Sequence, residues 1–507
     1  MSDRSPEAGE PAVELAAVAS GLRAANAQLR DLLADRDTRI EALQQLAAGK
    51  DAAIAALAAQ VEELTGQVAD LAARVAQNSK NSSKPPSADG LGKPAPKSLR
   101  KKTGRKPGRP KGQPGATMEL TGHPDKVIRH VPSCCAGCGK HLADAAQTGM
   151  ERRQVTEIPE PVKPVVTEHQ LIELACECGT RTKAEAPEGV NAPAQYGPRV
   201  CALAAYLWHG QYLSRDRAAA ALSEMFGCAP SPMVIAHAAK KIAAFLSPAA
   251  GAIIKNLLAS EVVHFDETGF RVAGKLAWVH SASSGPYVLT TVHAKRGIKG
   301  MDAAGILPSF TGIAVHDAWA PYDTYTGVAA HALCNSHVLR ELIAVTETGT
   351  DADVLWAQQA IDALLVLKAA AEAAVTARDT AISADLLDKQ ATFFTDAAKT
   401  GIVLNAGRRT KLQKKRHALA TRMKNREADY LRFARDLRVP FDNNEAERSI
   451  RMSKLRIKVS GCMRSMTGAE TFCIIRSYLA TAARHGIGAL DALTMAAEGT
   501  PWIPGTG

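Results

Sequence analysis

The sequence predicts a multidomain protein with an N-terminal α-helical coiled coil, a small β-rich cysteine module, a helix-turn-helix-like helical segment and an α/β core that contains a helical insertion. Three observations predict this arrangement. Leucines recur every seven residues over residues 12–77, cysteines pair at short spacings within 116–190, and two apolar runs within 260–345 each lead into an aspartate. With 507 residues, the chain is long enough for several domains.

Residues 12–77 carry a heptad pattern that predicts a coiled coil. The d positions are Leu15, Leu22, Leu29, Arg36, Leu43, Lys50, Leu57, Leu64 and Leu71. The a positions include Asn26, Leu33, Ile40, Ala47, Ile54, Val61, Val68 and Val75. β-Branched residues at a with Leu at d favour a parallel dimer, and a buried Asn at an a position fixes the register. We therefore expect self-association as a dimer; the alternative is a helix folded back on its own chain.

The overall composition indicates a polyanionic partner. The net charge is +11 and the pI is about 9.1, and such an excess of cations favours nucleic acid binding. No apolar run approaches the roughly 20 residues of a membrane span, and the N-terminus does not resemble a signal peptide. Ten cysteines are too few for a disulfide scaffold of this length. We expect a cytoplasmic, DNA-associated protein without membrane contact.

Residues 78–115 form a basic Pro/Gly-rich tether. The segment contains eleven Lys or Arg and one Asp, and therefore accounts for +10 of the net charge. Its composition excludes a packed core. Within it, Arg105, Lys106, Arg109 and Lys111 surround a Gly-Arg-Pro core that resembles an AT-hook, which binds a narrow A·T-rich minor groove. The alternative is a solvated linker that binds phosphates without sequence preference.

Residues 116–190 predict a small zinc-binding module. Cys135 and Cys138 form a C-x-x-C-G knuckle, and Cys176 and Cys178 form a second pair. Four thiolates suit one tetrahedral, structural Zn²⁺ with no open position for water. The segment between the pairs alternates like a strand. Other residues could replace one ligand: Cys134, His130, His141 or His169. The alternative is four buried cysteines without metal.

Residues 195–258 predict a helix, a turn at Gly227, and a second helix that begins after a Ser231 cap. This order resembles a helix-turn-helix, in which Lys240 and Lys241 could contact the DNA backbone. An ordinary helical hairpin has the same appearance.

Residues 260–345 predict strands that place two carboxylates together. An apolar run leads into Asp266, two further strands complete a meander, and a fourth apolar run ends on Asp317. Neighbouring strands of one sheet can bring two such side chains close together. Residues 350–438 are rich in Ala and charged residues and predict a helical insertion, after which the core resumes over 440–490.

The segment Phe441–Gly461 predicts a helix entered through cap-type residues at 442–444. Glu447, Arg451 and Lys454 fall on one helical face, and Arg448 adds a further cation next to Glu447. A carboxylate beside cations suits a metal ligand next to phosphate-binding groups. The alternative is a surface helix with an ordinary Glu–Arg pair.

Three carboxylates in the order strand, strand, helix suit two-metal phosphodiester chemistry. Mg²⁺ prefers oxygen ligands and keeps several waters, so a few carboxylates suffice. Two such ions can activate a water or 3′-hydroxyl and stabilise the leaving oxygen. The sequence contains no Walker-type phosphate loop, so ATP hydrolysis is not indicated.

Several motifs resemble the insertion-sequence 66 family of bacterial DDE transposases. They are HFDETGFRVAGKLAWVH, VHDAWAPYDTY, CNSH and FDNNEAERSIR, and the upstream order of coiled coil, NSKNSSKPPS segment, basic linker and paired cysteines also matches. The resemblance covers nearly the whole chain. It implies an RNase H-like catalytic core, Mg²⁺-dependent (or Mn²⁺-dependent) cleavage at element ends with two ions per site, and strand transfer into target DNA.

Carried over by position, the resemblance implies that Asp266, Asp317 and Glu447 are the catalytic, metal-binding triad. Glu445 is a rival for Glu447, but on a helix the two point about 200° apart, so only one can face the aspartates. Glu267 is a weaker rival for Asp266, because adjacent strand residues face opposite sides. Cys334 and His337 match a C-x-x-H motif, which we interpret as architectural.

The resulting hypothesis is a DNA transposase that binds terminal inverted repeats and target DNA as a homo-oligomer, in the cytoplasm of a bacterium at the nucleoid. Accessory proteins of the same element are possible partners. Two alternatives remain: a non-catalytic DNA-binding regulator derived from a transposase, and an RNase H-like nuclease without strand transfer.

Overall fold

The computed structural model describes residues 10–77, 81, 120–156 and 163–505. The chain divides into two compact units. The first combines residues 1–93 with 335–435, and the second combines 94–334 with 436–507. The basic tether lies outside the described residues apart from Asn81, and so do Arg105, Lys106, Arg109 and Lys111.

Helices dominate the described residues. In chain order they are α1 (Glu10–Ala76), α2 (Pro198–Ala205), α3 (Arg215–Phe226), α4 (Pro232–Phe245), α5 (Ser247–Leu258), α6 (Ile298–Ala303), α7 (Asn335–Thr348), α8 (Asp351–Ala377), α9 (Ala384–Leu404), α10 (Lys411–Asn425), α11 (Glu427–Tyr430), α12 (Arg432–Arg435), α13 (Asn444–Ser460), α14 (Met466–Arg484) and α15 (Ala489–Ala497). The strands are β1 (Glu173–Ala175), β2 (Arg181–Lys183), β3 (Val262–Val272), β4 (Lys275–Ser283), β5 (Val288–His293), β6 (Ile313–His316) and β7 (Ala330–Leu333). A π-helix covers Tyr206–Gly210.

The second unit is built around a five-stranded mixed sheet in the order β5-β4-β3-β6-β7. Strands β3, β4 and β5 form an antiparallel meander, which confirms the three strands predicted from the sequence. β6 and β7 then continue the sheet in parallel with β3. The turn between β3 and β4 consists of Ala273 and Gly274, which both have positive φ. Two positive φ angles in a two-residue loop are typical of a type I′ hairpin.

Helix α14 packs on the edge strand β5 through hydroxyl groups as well as apolar side chains. Ser477 Oγ accepts the backbone N–H of Thr290 at 2.8 Å, and Thr481 Oγ1 accepts that of Val288 at 3.1 Å. These side chains satisfy backbone donors on the outer edge of the sheet, which would otherwise lack partners in a buried position. Helix α14 thereby covers the outer edge strand of the sheet.

Helices α3 and α4 have the predicted helix-turn-helix order. Gly227 ends α3 with φ 65°, a left-handed conformation that glycine adopts without strain. Ser231 caps α4 by accepting the N–H of Val234. Leu222 and Ile235 pack in one small apolar cluster between the two helices, and Lys240 and Lys241 are exposed on α4.

The cysteine segment has less regular structure than expected. Its strands β1 and β2 have three residues each and form one antiparallel hairpin, and Cys134 and His141 form an isolated bridge. The predicted strand between the cysteine pairs is therefore reduced to Glu173–Ala175. Exposed side chains on both strands explain the difference, because a strand without a buried face gains little from pairing.

In the first unit, α1 is a single helix of 67 residues. Its apolar heptad side chains are exposed, among them Leu57 at 60% and Leu64 at 58%. Near its C-terminal end, Glu62 pairs with Arg409 and Asp70 with Lys411 at the start of α10.

The helical insertion of the first unit is held together by the carboxylate of Asp353, which is 3% exposed. It accepts hydrogen bonds from Trp356, Asn405 and Arg416 at 2.9–3.1 Å. Burial raises the pKa of Asp353, but the hydrogen bonds from Asn405 and Trp356, together with the Arg416 charge, outweigh it and leave the pKa below its usual value.

Among the described residues, no single helix is long and apolar enough to span a membrane. Helices α4 and α5 would be so only together, and they are bent by 50° relative to each other.

We predict that Asp353→Ala lowers the free energy of unfolding by about 3–5 kcal/mol, because it leaves the buried Arg416 charge without its partner. Urea denaturation measures the change. Asp362→Ala removes an exposed carboxylate from the same helix and should change stability by less than about 0.5 kcal/mol. Since the folded-state pKa of Asp353 is lowered, its contribution is present above the unfolded-state pKa and is lost as the pH falls through the folded-state pKa. Equal stability of the two variants would contradict the role of the Asp353 carboxylate in holding the helical insertion together.

Candidate active site

Asp266 lies on β3, and Asp317 directly follows the neighbouring strand β6. The parallel register pairs Val262 with Ile313 and His264 with Val315. Two residues further along, the same register brings Asp266 next to Asp317, which directly follows the last residue of β6. Adjacent strands are about 4.8 Å apart, so the two carboxylates originate from neighbouring backbone positions on one side of the sheet.

Glu447 lies in the first turn of α13, close enough to interact electrostatically with Asp266. Burial raises the pKa of Asp266 well above its usual value, and the charges of Glu267, Asp317 and Glu447 raise it further. The hydrogen bond from the Glu267 N–H to Asp266 Oδ1, at 2.9 Å, acts in the opposite direction. Asp317 and Glu447 therefore lie within electrostatic range of Asp266, and we refer to the three carboxylates as the acidic cluster. Within the described residues, they do not bring one oxygen each to within 4.8 Å of one another.

Asn443 holds the start of α13 against the sheet. This residue is 1% exposed. Its Nδ2 donates to the carbonyl of Phe265 at 2.7 Å, its Oδ1 contacts His264 Nδ1 at 2.9 Å, and its backbone N–H donates to Cys334 Sγ at 3.2 Å. Because Phe265 precedes Asp266 and Asn443 lies four residues before Glu447, the contacts couple the positions of two triad members.

The capping of α13 differs from the expectation that 442–444 share that role. Asn443 occupies the cap position, but its side chain forms no capping hydrogen bond. Asp442 Oδ1 instead accepts the N–H of Asn444 at 3.1 Å. The Asn443 side chain is unavailable for capping because it bonds to β3.

Glu267 is a buried anchor. Arg296 donates to Glu267 Oε1 through Nε at 2.9 Å and Nη2 at 2.6 Å, and the Tyr322 hydroxyl donates to Oε2 at 2.7 Å. The Arg296 guanidinium also lies 3.8 Å from the ring centroid of Trp319 and 5.0 Å from that of Trp278. Both Glu267 oxygens are therefore occupied, which leaves Asp266 as the candidate ligand of this strand.

The segment after β6 is held by related contacts. The imidazole of His316 stacks on Tyr322 with ring centroids 4.3 Å apart. Asp317 Oδ1 accepts the N–H of Trp319 at 3.0 Å, and Ala318 between them has φ 66°, an uncommon conformation for a residue other than glycine. Tyr322 thus contacts both the neighbour of Asp266 and the neighbour of Asp317.

The rival carboxylate Glu445 is also engaged elsewhere. Its Oε1 pairs with Arg484 at 2.8 Å, and its Oε2 lies 3.8 Å from His264 Nε2. Among the residues that the structure describes, Glu447 forms no salt bridge, and one of its carboxylate oxygens lies within 4.8 Å of Cys334 Sγ. The contacts favour Glu447 over Glu445 as the third member of the cluster.

The predicted DNA-contacting cations of α13 are all exposed: Arg448, Arg451 and Lys454. They lie on the helix that carries Glu447, as the helical spacing predicts. Their exposed positions leave them accessible to a ligand.

The four predicted zinc ligands form two pairs. Hydrogen bonds from the backbone of Cys138 and Gly137, with a smaller contribution from the Cys138 side chain, lower the pKa of Cys135. Hydrogen bonds from Thr180, with a smaller contribution from Cys176, lower the pKa of Cys178 to about 7, which favours its metal-binding thiolate form. Within the part of the chain that the structure describes, no three of these cysteines bring their sulfur atoms within 4.8 Å of one another. The single four-sulfur site stays a prediction.

Sequence reasoning missed the supporting residues Arg296, Tyr322 and Asn443, and it treated Glu267 only as a rival ligand. A signal for three of them was present, because Glu267, Tyr322 and Asn443 stand within the motifs D-E-T, H-D-x-W-x-x-Y and D-N-N. Arg296 lies outside these motifs, and only the fold brings it to Glu267.

Comparisons with known proteins identify the class. The family model described as transposase IS66 family matches residues 193–471, which is more than half of the chain. A family of unknown function, DUF6444, matches residues 10–119. A search of curated proteins found no match.

The core with its acidic cluster is therefore that of a transposase. The chain belongs to the transposase IS66 family. Membership of this family implies DNA binding and suggests the use of divalent metal.

We predict that Asn443→Ala lowers the free energy of unfolding by at least about 2 kcal/mol, because buried partners on β3 lose their hydrogen bonds. Urea denaturation measures this change. Asn444→Ala alters the adjacent, exposed asparagine and should stay within about 0.5 kcal/mol of the unchanged protein. A similar small effect for both substitutions would show that Asn443 does not anchor the helix.

Proposed function

We propose that this protein is a DNA transposase that binds the ends of its insertion sequence and catalyses metal-dependent DNA cleavage and strand transfer. The observation that carries the proposal is the acidic cluster. Asp266 lies on β3, Asp317 directly follows the adjacent parallel strand β6, and the charge of Glu447 reaches Asp266 from α13. Membership of a transposase family supports a catalytic role for this cluster.

The donor set fits Mg²⁺ or Mn²⁺. Hard divalent cations take carboxylate oxygens, and the neighbouring carboxylates of Glu267 and Glu445 are already paired with arginines. Asp266, Asp317 and Glu447 would hold two ions per active site. Ions bound there would activate a water or 3′-hydroxyl and would stabilise the leaving oxygen.

The protein's own residues position these ligands. Asn443 fixes the start of α13 relative to β3, and Tyr322 spans from Glu267 to His316 beside Asp317. Rigid ligands raise the effectiveness of a metal site because little reorganisation is required during reaction. The exposed cations Arg448, Arg451 and Lys454 bind the phosphates of the DNA that enters the site.

We assign the core to the RNase H-like class. Support comes from the sheet, in which an antiparallel meander is extended by two parallel strands, and from carboxylates on its first and fourth strands with a third on a following helix. Residues 116–190 and 195–258, together with the basic tether, bind the terminal repeats and target DNA. The protein works in the bacterial cytoplasm at the nucleoid, with accessory proteins of the element as further partners.

The principal prediction is that Glu447→Gln abolishes Mg²⁺-dependent cleavage of a labelled element-end duplex while end binding remains. The substitution removes the charge that a metal ligand needs but retains the size of the side chain. Asp266→Asn and Asp317→Asn should have the same effect. Glu445→Gln is the matched control two residues away and should leave cutting intact.

Other outcomes separate the alternatives. Loss of cutting only in Glu445→Gln would assign the third ligand to that residue. Binding of element ends without Mg²⁺-dependent cutting by any form would favour the regulator. Cutting without strand-transfer products on a supercoiled target would favour the nuclease.

We propose one structural zinc ion held by Cys135, Cys138, Cys176 and Cys178. The lowered pKa values of Cys135 and Cys178, which favour the metal-binding thiolate form, support it. The prediction is one zinc per chain by elemental analysis, lost in Cys135→Ser with Cys138→Ser. Cys201→Ser is the control and should retain zinc, since Cys201 lies on α2. A metal-free protein purified with zinc present would contradict the site.

We propose that α1 associates with a second copy. Its exposed apolar heptad positions extend over most of its length, and a helix surface of this kind is stable in water when another helix covers it. A parallel dimer is the expected form.

Light scattering should give twice the chain mass of 53.6 kDa for the unchanged protein. Leu57→Glu with Leu64→Glu should give the single-chain mass, because both positions lie in the predicted seam. Ala52→Glu with Ala59→Glu, on the opposite heptad face, should leave the dimer intact. A monomer before any substitution would refute the proposal.

A further inference from the structure

A cationic cluster lies in the second unit, away from the acidic cluster. It consists of the buried residues His209, Tyr212 and Arg456 and the half-buried Arg476, and we refer to it as the buried basic cluster. His209 belongs to the π-helix, Arg456 to α13 and Arg476 to α14. Along α13, Arg456 lies nine residues beyond Glu447, or about 13.5 Å at 1.5 Å per residue.

The two arginines lack counter-charges. Arg456 is 5% exposed, and its Nη1 donates to the Gly461 carbonyl at 3.2 Å. Arg476 lies with its guanidinium carbon 5.4 Å from the ring centroid of Tyr212. In the described part of the chain, neither forms a salt bridge with a carboxylate, and the Nε atom of each is buried without a hydrogen-bond partner. Burial lowers the pKa of both guanidinium groups.

His209 and Tyr212 add further unmatched donors. His209 is fully buried, and neither of its ring nitrogens has a partner within the described residues. Burial and then the charges of Arg456 and Arg476 lower the pKa of His209 to about 3, so the ring is neutral near pH 7 and keeps one N–H. The buried Tyr212 hydroxyl is also without a partner.

The backbone at this place is unusual in two respects. A π-helix turn, which often marks functional sites, carries His209. Tyr212 has φ 61°, a strained conformation for a bulky residue. The Ser460 hydroxyl donates to the Tyr212 carbonyl and connects this residue to the end of α13. The surrounding structure therefore holds Tyr212 in a conformation that it would not adopt on its own.

A bound anion would account for all of these features. Burying a guanidinium without a counter-ion is costly, and hydrophobic residues of similar size would be at least as stable here. Two guanidinium groups, an imidazole N–H and a phenol all donate hydrogen bonds, and phosphate oxygens accept them, with arginine in a favoured geometry. Water alone would satisfy the donors but would leave two charges uncompensated.

We propose that the buried basic cluster is a binding site for a phosphate group, with Arg456 and Arg476 as its charged ligands. The phosphate source is either the DNA backbone or a small phosphate-bearing molecule. Only the DNA source rests on the proposed function, because the site itself is testable with inorganic phosphate.

The first experiment is titration calorimetry of the full chain with inorganic phosphate, at constant ionic strength maintained with chloride. Arg456→Met and Arg476→Met keep the volume of the side chain and remove its charge, a change that buried sites tolerate well. Lys458→Met and Arg464→Met are controls, since both positions are exposed nearby. Tyr212→Phe removes only a hydroxyl. It takes the place of an arginine variant in the comparison if that variant does not fold.

The expected result is saturable phosphate binding that each arginine substitution weakens roughly tenfold to a hundredfold, as for loss of a hydrogen bond to a charged group. Tyr212→Phe should weaken it less, and the two controls should match the unchanged protein. Absence of saturable binding above the chloride background would overturn the proposal. Equal binding by the unchanged protein and the arginine variants would overturn it too.

A second experiment identifies the source of the phosphate. The affinity for an element-end duplex is measured against salt concentration for the unchanged protein and Arg476→Met. A contact with the DNA backbone should reduce the slope of log K against log salt by about 0.9. An unchanged slope, combined with lost binding of inorganic phosphate, supports the site with a small phosphate-bearing ligand. Neither binding measurement depends on cleavage. The phosphate site is therefore tested independently of the Glu447→Gln experiment, which tests the proposed function.

Discussion

Repulsion between carboxylates is the constraint on which the core depends. Asp266, Glu267, Asp317 and Glu447 are close enough for their charges to interact, and without metal they oppose one another. The fold offsets this repulsion by giving the non-ligand Glu267 a cation and a hydroxyl, while hydrogen bonds hold the backbones that carry the others. The carboxylate oxygens of the acidic cluster are therefore held in place, and a bound cation would relieve the repulsion between them.

The supporting contacts give the motif residues distinct roles. In the D-E-T motif, the aspartate faces the cluster and the glutamate pairs with Arg296 and Tyr322. In H-D-x-W-x-x-Y, the histidine stacks on the tyrosine, and the tryptophan lies against Arg296. In D-N-N, the middle residue ties α13 to β3. A short motif thus contains both candidate ligands and the residues that position them.

The sequence was sufficient to predict the strands up to Asp317, the helix of Glu447 and the long α1, because each has strong local periodicity or a sharp change of composition. It was insufficient for Arg296, whose partner lies 29 residues away, and for the buried basic cluster, whose four members come from three separate segments. The strand between the cysteine pairs was overestimated, because alternation alone does not bury a face. Contacts between distant segments depend on packing, which local patterns do not contain.

The hydrogen bond from the Asn443 N–H to Cys334 Sγ has a consequence for the helical insertion. Cys334 is the last residue of the core before the chain leaves for the helical insertion, and Asn443 follows soon after its return at Asp436. The bond joins the two ends of the intervening segment of about a hundred residues, and the entropic cost of closing a loop grows only slowly with its length. The hydrogen bond thus keeps the points where the chain leaves and re-enters the core next to each other, whatever the length of the segment between them.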